Sequence, residues 1–291
     1  MESTSSVQAT VSVESGVEEI QKRVEELKVQ DKLQHKTHKQ YFEDSYLFQS
    51  QGKVIATYQS EKSTDIGLIL DNTIFHPQGG GQPSDEGVIS SADGSIKFIV
   101  KSLQPKDDAI IHFGVYQEDG QSFEIGQEVL LNIDEEKRRA YAQYHSAGHL
   151  LDVALNRMGI TSLKPGKGYH FTSGAYVEYV GNVDNAIKDK LPKDLTDEVN
   201  KLIQEQKENP EGVWVKMCTY DEAGQVLKDG VPPYIPIGSD LRVIKLTEQD
   251  SGCPCGGTHV KHVTDIPYIE VTKVLKKGKN TRVSYTIKSA Q

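Results

Sequence analysis

Apolar residues at Val17, Ile20, Val24 and Leu27 are spaced by three, four and three positions among Glu, Lys and Arg. This spacing predicts an amphipathic helix with a narrow apolar stripe, suited to a short coiled coil or to docking on the body of the protein. Residues 1 to about 15 precede it with low hydrophobicity and no periodicity, so residues 1–40 read as a disordered tail plus this helix. From residue 41 the period changes. The segments YLFQSQGKVIATYQ, IGLILDNTIFH, GVISS, IKFIVKSL and IIHFGVY read as short strands broken by Gly, Asp and Ser turns, which predicts a β-barrel-like domain over residues 41–133.

A second helix signal follows at once. Asp134 is a natural N-cap for EEKRRAYAQYHSAGHLLDVALNRMG, with glutamates in the first turn where the helix dipole favours them and Gly159 at the end. GYHFTSGAYVEYV reads as strand-like, LTDEVNKLIQEQKE as another helix with Val199, Leu202 and Ile203 buried, and LRVIKLT, YIEVTKVL and TRVSYTIK as closing strands. Parallel βαβ repeats are not evident, so residues 134–291 are expected to form an α+β domain and the chain as a whole to be α+β.

The 291 residues suffice for two cores, and with 36% hydrophobic content the chain should be globular. No run approaches the roughly 20 apolar residues that span a bilayer, and no apolar leader follows a basic start, so no membrane partner and a cytoplasmic location are expected. Three cysteines, Cys218, Cys253 and Cys255, make a poor disulfide framework and point to reduced thiols. A formal charge of -9 does not favour polyanions at long range. Local basic clusters, EKRR before the histidine helix and KVLKKGKNTR near the end, could still contact one or simply be solvated.

The helix carries chemistry as well as an apolar face. His145 and His149 in HSAGHLL lie one turn apart on one face, close enough to reach one ion. Cys255 and His259 in CGGTH add a thiolate and an imidazole on a short loop. The four together form a Cys/His₃ set suited to zinc in a reducing compartment. Pro254 separates Cys255 from Cys253, and Cys255, next to the double glycine, is the favoured ligand. Ser146 stands where an H-E-x-x-H protease needs its glutamate, so that peptidase chemistry is disfavoured. The glycine run in DNTIFHPQGGGQPSDEG could press backbone against a ligand or a neighbouring domain, or be a plain hairpin; it is not a P-loop.

GGGQPSDEG, HSAGHLL and CGGTHV, in that order and on that scale, resemble the AlaX family of freestanding alanyl-tRNA editing proteins. That family is related to the editing domain of alanyl-tRNA synthetase and more distantly to that of threonyl-tRNA synthetase. The resemblance covers residues 45–291, and the glycine-rich β domain marks the longer type. It implies hydrolysis of the ester joining a wrong amino acid, serine or in some members glycine, to tRNA for alanine. Carried over by motif, it implies one zinc ion per chain on His145, His149, Cys255 and His259, either as a structural ion or in catalysis. Thr172, taken to lie in the strand after the histidine helix, is implied to contact the serine side chain. Gly79, Gly80, Gly81 and Gln82 are implied to approach the same pocket, with Thr73 facing it. Lys164 and Lys167 flank that pocket and are expected to hold the acceptor end of the tRNA partner. The N-terminal helix would then serve self-association or partner binding. The competing reading is an inactive, zinc-stabilised tRNA- or synthetase-binding protein.

Overall fold

The computed structural model describes residues 35–59, 65–208, 212–248 and 250–289; the amphipathic helix expected near Val17 lies outside them. Six antiparallel strands, β1 (Gln49–Gln59), β2 (Ile66–Leu70), β3 (Gly87–Ser91), β4 (Lys97–Lys106), β5 (Ala109–Tyr116) and β6 (Glu128–Ile133), close into a barrel in the order β1-β2-β5-β4-β3-β6. Closure leaves no edge to be covered. Alternation fills the interior: Val129, Leu131 and Ile133 on β6 meet Leu68, Leu70, Ile89 and Phe98 from neighbouring strands.

Helix α1 (Glu135–Arg157) leaves the barrel directly after β6, and its Asp134 cap accepts the Lys137 N–H. Strands β7 (Lys164–Tyr169) and β8 (Tyr176–Val180) form a hairpin, and after a single helical turn at Asn185–Lys188 helix α2 (Leu191–Glu208) follows. Strand β9 (Trp214–Cys218), helix α3 (Tyr220–Val226), β10 (Leu241–Lys245) and the two-residue β11 (Cys253–Pro254) build a small antiparallel sheet ordered β9-β10-β11. The hairpin of β12 (Ile269–Lys277) and β13 (Asn280–Ile287) joins the earlier one in a four-stranded sheet ordered β12-β13-β8-β7. One face of that sheet packs on the two long helices. Leu150, Leu151 and Ala154 of α1 and Leu195, Val199 and Leu202 of α2 meet Val177, Tyr179, Val283 and Tyr285. Each fully buried leucine there contributes roughly 1.5–3 kcal/mol. The architecture is the expected α+β class with a barrel preceding a helix-and-sheet body. Among the described residues no helix is long and apolar enough to cross a membrane.

One buried ion pair joins barrel to helix. Arg138, in the second turn of α1, is 1% exposed and grips Asp85, 2% exposed, through Nε and Nη2. It also donates to the backbone carbonyls of Ser45 and Ile74, while Asp85 accepts the His76 N–H. Asp85 lies near the end of the glycine-rich segment, so the pair pins that loop to the histidine helix.

Candidate metal centre

Residues 79–82 form a tight hairpin. Gly79 and Gln82 exchange both backbone hydrogen bonds, and Gly80 and Gly81 between them have φ of +58° and +83°. Two successive positive φ values define a type I′ turn, open at little cost only to glycine and a few small polar residues. The turn lies against β7: a Cβ on Gly81 would stand 2.4 Å from the Gly168 carbonyl oxygen, and the Gly81 carbonyl accepts the His170 N–H. Gln82 is thereby delivered, fully buried, into the second half of the molecule.

There it sets the state of His145. The Thr258 backbone N–H can only donate, so the atom it meets at 2.9 Å is Gln82 Oε1. Gln82 Nε2 donates to Thr258 Oγ1. The same Oε1 lies 2.7 Å from His145 Nδ1, which must therefore carry the proton and leave Nε2 as the lone pair. A polar atom also stands behind His259, whose Nδ1 is 3.1 Å from Ser146 Oγ, and behind His149, whose Nδ1 is 3.3 Å from Cys253 Sγ. A hydrogen-bond partner behind each ring fixes the orientation of a metal-ligating imidazole and raises its basicity.

The forward-facing atoms converge. One ligand atom each from His145, His149, Cys255 and His259 lies within 4.8 Å of all the others. Cys255 Sγ is 3.5 Å from His145 Nε2 and 3.3 Å from His259 Nε2. Zn–S and Zn–N bonds at tetrahedral angles require an S···N edge of about 3.6 Å, so the donor spacing suits such an ion. The cluster could hold a metal ion, as the spacing of HSAGHLL and CGGTH predicts.

Electrostatics prepare the donors. Burial first, and then the neighbouring imidazoles, hold His145 well below the ordinary imidazole range; burial, then His149 and Arg242, do the same to His259. Burial alone lowers His149 to about 4. All three rings are thus neutral near pH 7, as a ligand must be. Burial raises the Cys255 thiol, opposed by the Gly257 N–H and the Arg242 charge. Arg242 on β10 also shapes the loop, donating from Nη1 to the carbonyls of Cys255 and Gly257 at 2.8 Å each and from Nε to Phe42 O.

Gly257 has no room for a side chain. A Cβ there would stand 2.0 Å from His145 Cε1 and 2.2 Å from its Nδ1. Gly257→Ala is therefore expected to displace the His145 ring and weaken metal binding by at least about tenfold, the lower range for loss of an orienting contact. Chelator competition measures this, and unchanged affinity would show that the loop yields instead of the ring.

The remaining sequence-predicted residues fall in different places. Gly80 lies beside His145, where a Cβ would be 3.7 Å from Cε1. Gln82 stands behind the His145 ring as its positioning partner. Thr73 does not face the cluster in its described contacts; it is fully buried and its hydroxyl is taken up by His112 Nε2 at 2.7 Å and by the Phe75 N–H. Thr172 is exposed in a bend between β7 and β8 instead of lying in a strand. Lys164 and Lys167 are exposed on β7.

Sequence reasoning missed His170. Its ring stacks on His145 with centroids 4.7 Å apart, and its Nδ1 is 2.6 Å from Tyr285 Oη. That hydroxyl donates to the Tyr144 carbonyl, so it accepts from His170 Nδ1–H and leaves the His170 Nε2 lone pair unprotonated. Burial, then His149, lowers His170 to about 3. The available signal was a polar residue between Tyr169 and Phe171, pointing to the helix-facing side of the sheet.

Comparison with known proteins places the chain. A family model for class II (A) tRNA synthetases matches residues 2–137. The alanyl-tRNA editing protein AlaX-L of Pyrococcus horikoshii is 29% identical over 84% of this chain and 57% of its own length. AlaX-M of the same organism is 31% identical over 81% of this chain and 91% of its own length. The chain belongs to the AlaX family of alanyl-tRNA editing proteins. An alanine–tRNA ligase of Saccharolobus islandicus is 27% identical over 82% of this chain, which spans only 25% of that enzyme.

Proposed function

We propose that this AlaX family member hydrolyses the ester that joins a wrongly attached amino acid, serine foremost, to tRNA for alanine. The observation that carries this reading is the convergence of three oriented imidazoles and one thiol in a family of editing proteins. The donor set suits one zinc ion per chain, held by His145, His149, Cys255 and His259. When bound, such an ion supplies Lewis-acid polarisation of a carbonyl or a water of lowered pKa.

The protein's own groups do the rest. Gln82 holds His145 in the ligating tautomer, and Ser146 and Cys253 stand behind the rings of His259 and His149. The hydroxyl that distinguishes serine from alanine needs a buried acceptor, because a site that hydrogen-bonds a hydroxyl rejects the analogue lacking it by about 10⁴ or more. His170 Nε2, one ring's thickness from the cluster, supplies that acceptor more directly than the exposed Thr172. Exposed Lys164 and Lys167 meet backbone phosphates of the acceptor end. The three cysteines are free, as a reducing compartment such as the cytoplasm would keep them.

The test is release of amino acid from Ser-tRNA and Ala-tRNA of the alanine type by protein of known metal content. Serine should be released at least about 10⁴-fold faster than alanine. Fully metal-loaded protein that spares both substrates would overturn the hydrolytic reading.

A further inference from the structure

The face of the four-stranded sheet turned away from the helices carries an aromatic column. Phe171 and Tyr169 stack with centroids 4.3 Å apart and planes 11° from parallel, and Tyr169 stacks on Tyr176 at 5.3 Å and 15°. The Arg282 guanidinium lies 3.9 Å from the centre of the Tyr176 ring and is held there by Glu178. Tyrosine and phenylalanine rings in and around the barrel behave differently. Their pairs, such as Phe98–Tyr116 at 71° and Tyr58–Phe113 at 80°, meet edge to face, as ordinary core packing favours.

Strand register explains the column and its setting. Tyr169 pairs with Tyr176, Tyr176 with Ser284 and Ser284 with Lys273, so these four side chains form one row across the sheet. The adjacent row is Lys167, Glu178, Arg282 and Leu275. Lys167 and Lys273 are exposed, and the three aromatic residues are half-buried. The sheet and its Gly278 hairpin carry seven Lys and Arg against Glu178 and Glu270, although the chain as a whole has a formal charge of -9. Arg282 closes one end of the column. At the other end, among the described residues, no further ring or cation stacks on Phe171.

We infer that this face is a stacking platform for unpaired bases at the 3′ end of the RNA substrate, with one base on Phe171 and the flanking lysines on its phosphates. An antiparallel sheet that offers parallel aromatic faces beside basic side chains is a recurring way of holding single-stranded RNA. Strand alternation places the platform next to the chemistry: His170 faces the metal cluster, while Tyr169 and Phe171 on either side of it face the platform. The inference rests on the RNA substrate proposed above and adds where its bases lie.

The experiment uses the full chain, a fluorescent single-stranded RNA heptamer ending in CCA and a blunt RNA duplex of equal charge. Phe171→Ala should weaken heptamer binding about tenfold and leave duplex binding and metal content unchanged, whereas Phe171→Trp should bind the heptamer at least as well as the parent. In serine release the alanine variant should raise KM at constant kcat. Heptamer binding indifferent to Phe171→Ala, or no preference of the parent for the heptamer over the duplex, would overturn the platform. A parent that binds the heptamer through Phe171 yet releases no amino acid would keep the platform and defeat hydrolysis. A parent that releases serine with a KM indifferent to Phe171 would do the reverse.

Discussion

Cys255→Ser is expected to strip the cluster of its metal and abolish deacylation, whereas Cys253→Ser should keep the ion with affinity reduced only about 10–100-fold. The two thiols are separated by one residue but do different work. Cys255 Sγ lies among the converging nitrogens, 3.3 Å from His259 Nε2, and Cys253 Sγ stands behind the His149 ring. Loss of Cys255 removes the only anionic donor of the four, while a serine at 253 still offers an oxygen to His149 Nδ1. Metal content after dialysis, followed by chelator competition, separates the variants. Equal losses in both would refute the division of roles, and metal retained by Cys255→Ser would refute the ligand set.

The second large effect belongs to the Arg138–Asp85 pair. Arg138→Met leaves Asp85 as an uncompensated charge in a site 2% exposed and orphans the Ser45 and Ile74 carbonyls. Breaking one side of such a pair costs about 3–5 kcal/mol. Urea denaturation should show that loss, and the double variant Arg138→Met with Asp85→Asn should recover a substantial part of it, because the charge is gone while an acceptor for the His76 N–H persists. A single-variant loss below about 1 kcal/mol would mean that the pair does not fasten barrel to helix.

The four residues of the cluster were legible because their spacing is local. His145 and His149 sit one turn apart on a helix whose cap, Asp134, and apolar period are both plain, and Cys255 and His259 share one loop. The partners behind the rings were not legible. Gln82 and His145 are 63 residues apart and Gln82 and Thr258 are 176 apart, so those bonds exist only once the two halves are packed. GYHFTSGAYVEYV read as one strand-like segment because alternation persists across it, yet Gly174, with φ of +81°, turns the chain and makes it a hairpin. That turn moves Thr172 into an exposed bend. Strand β6 was passed over despite the alternation of Val129, Leu131 and Ile133. Helix α3 was also missed, although Thr219 and Glu222 form a capping box at its start. Its seven residues are too few for periodicity to register.

Gln82 leaves from the barrel and ends on His145, so a cluster whose four residues all belong to the second half is braced from the first. Binding and docking are then thermodynamically reciprocal: whatever affinity the seated barrel confers on the ion, the ion returns as adhesion between barrel and helix. Chelation should therefore loosen a joint as well as empty a site. A chain with the same helix and CGGTH loop but no barrel would have to find another acceptor for its first histidine, or hold its metal more weakly.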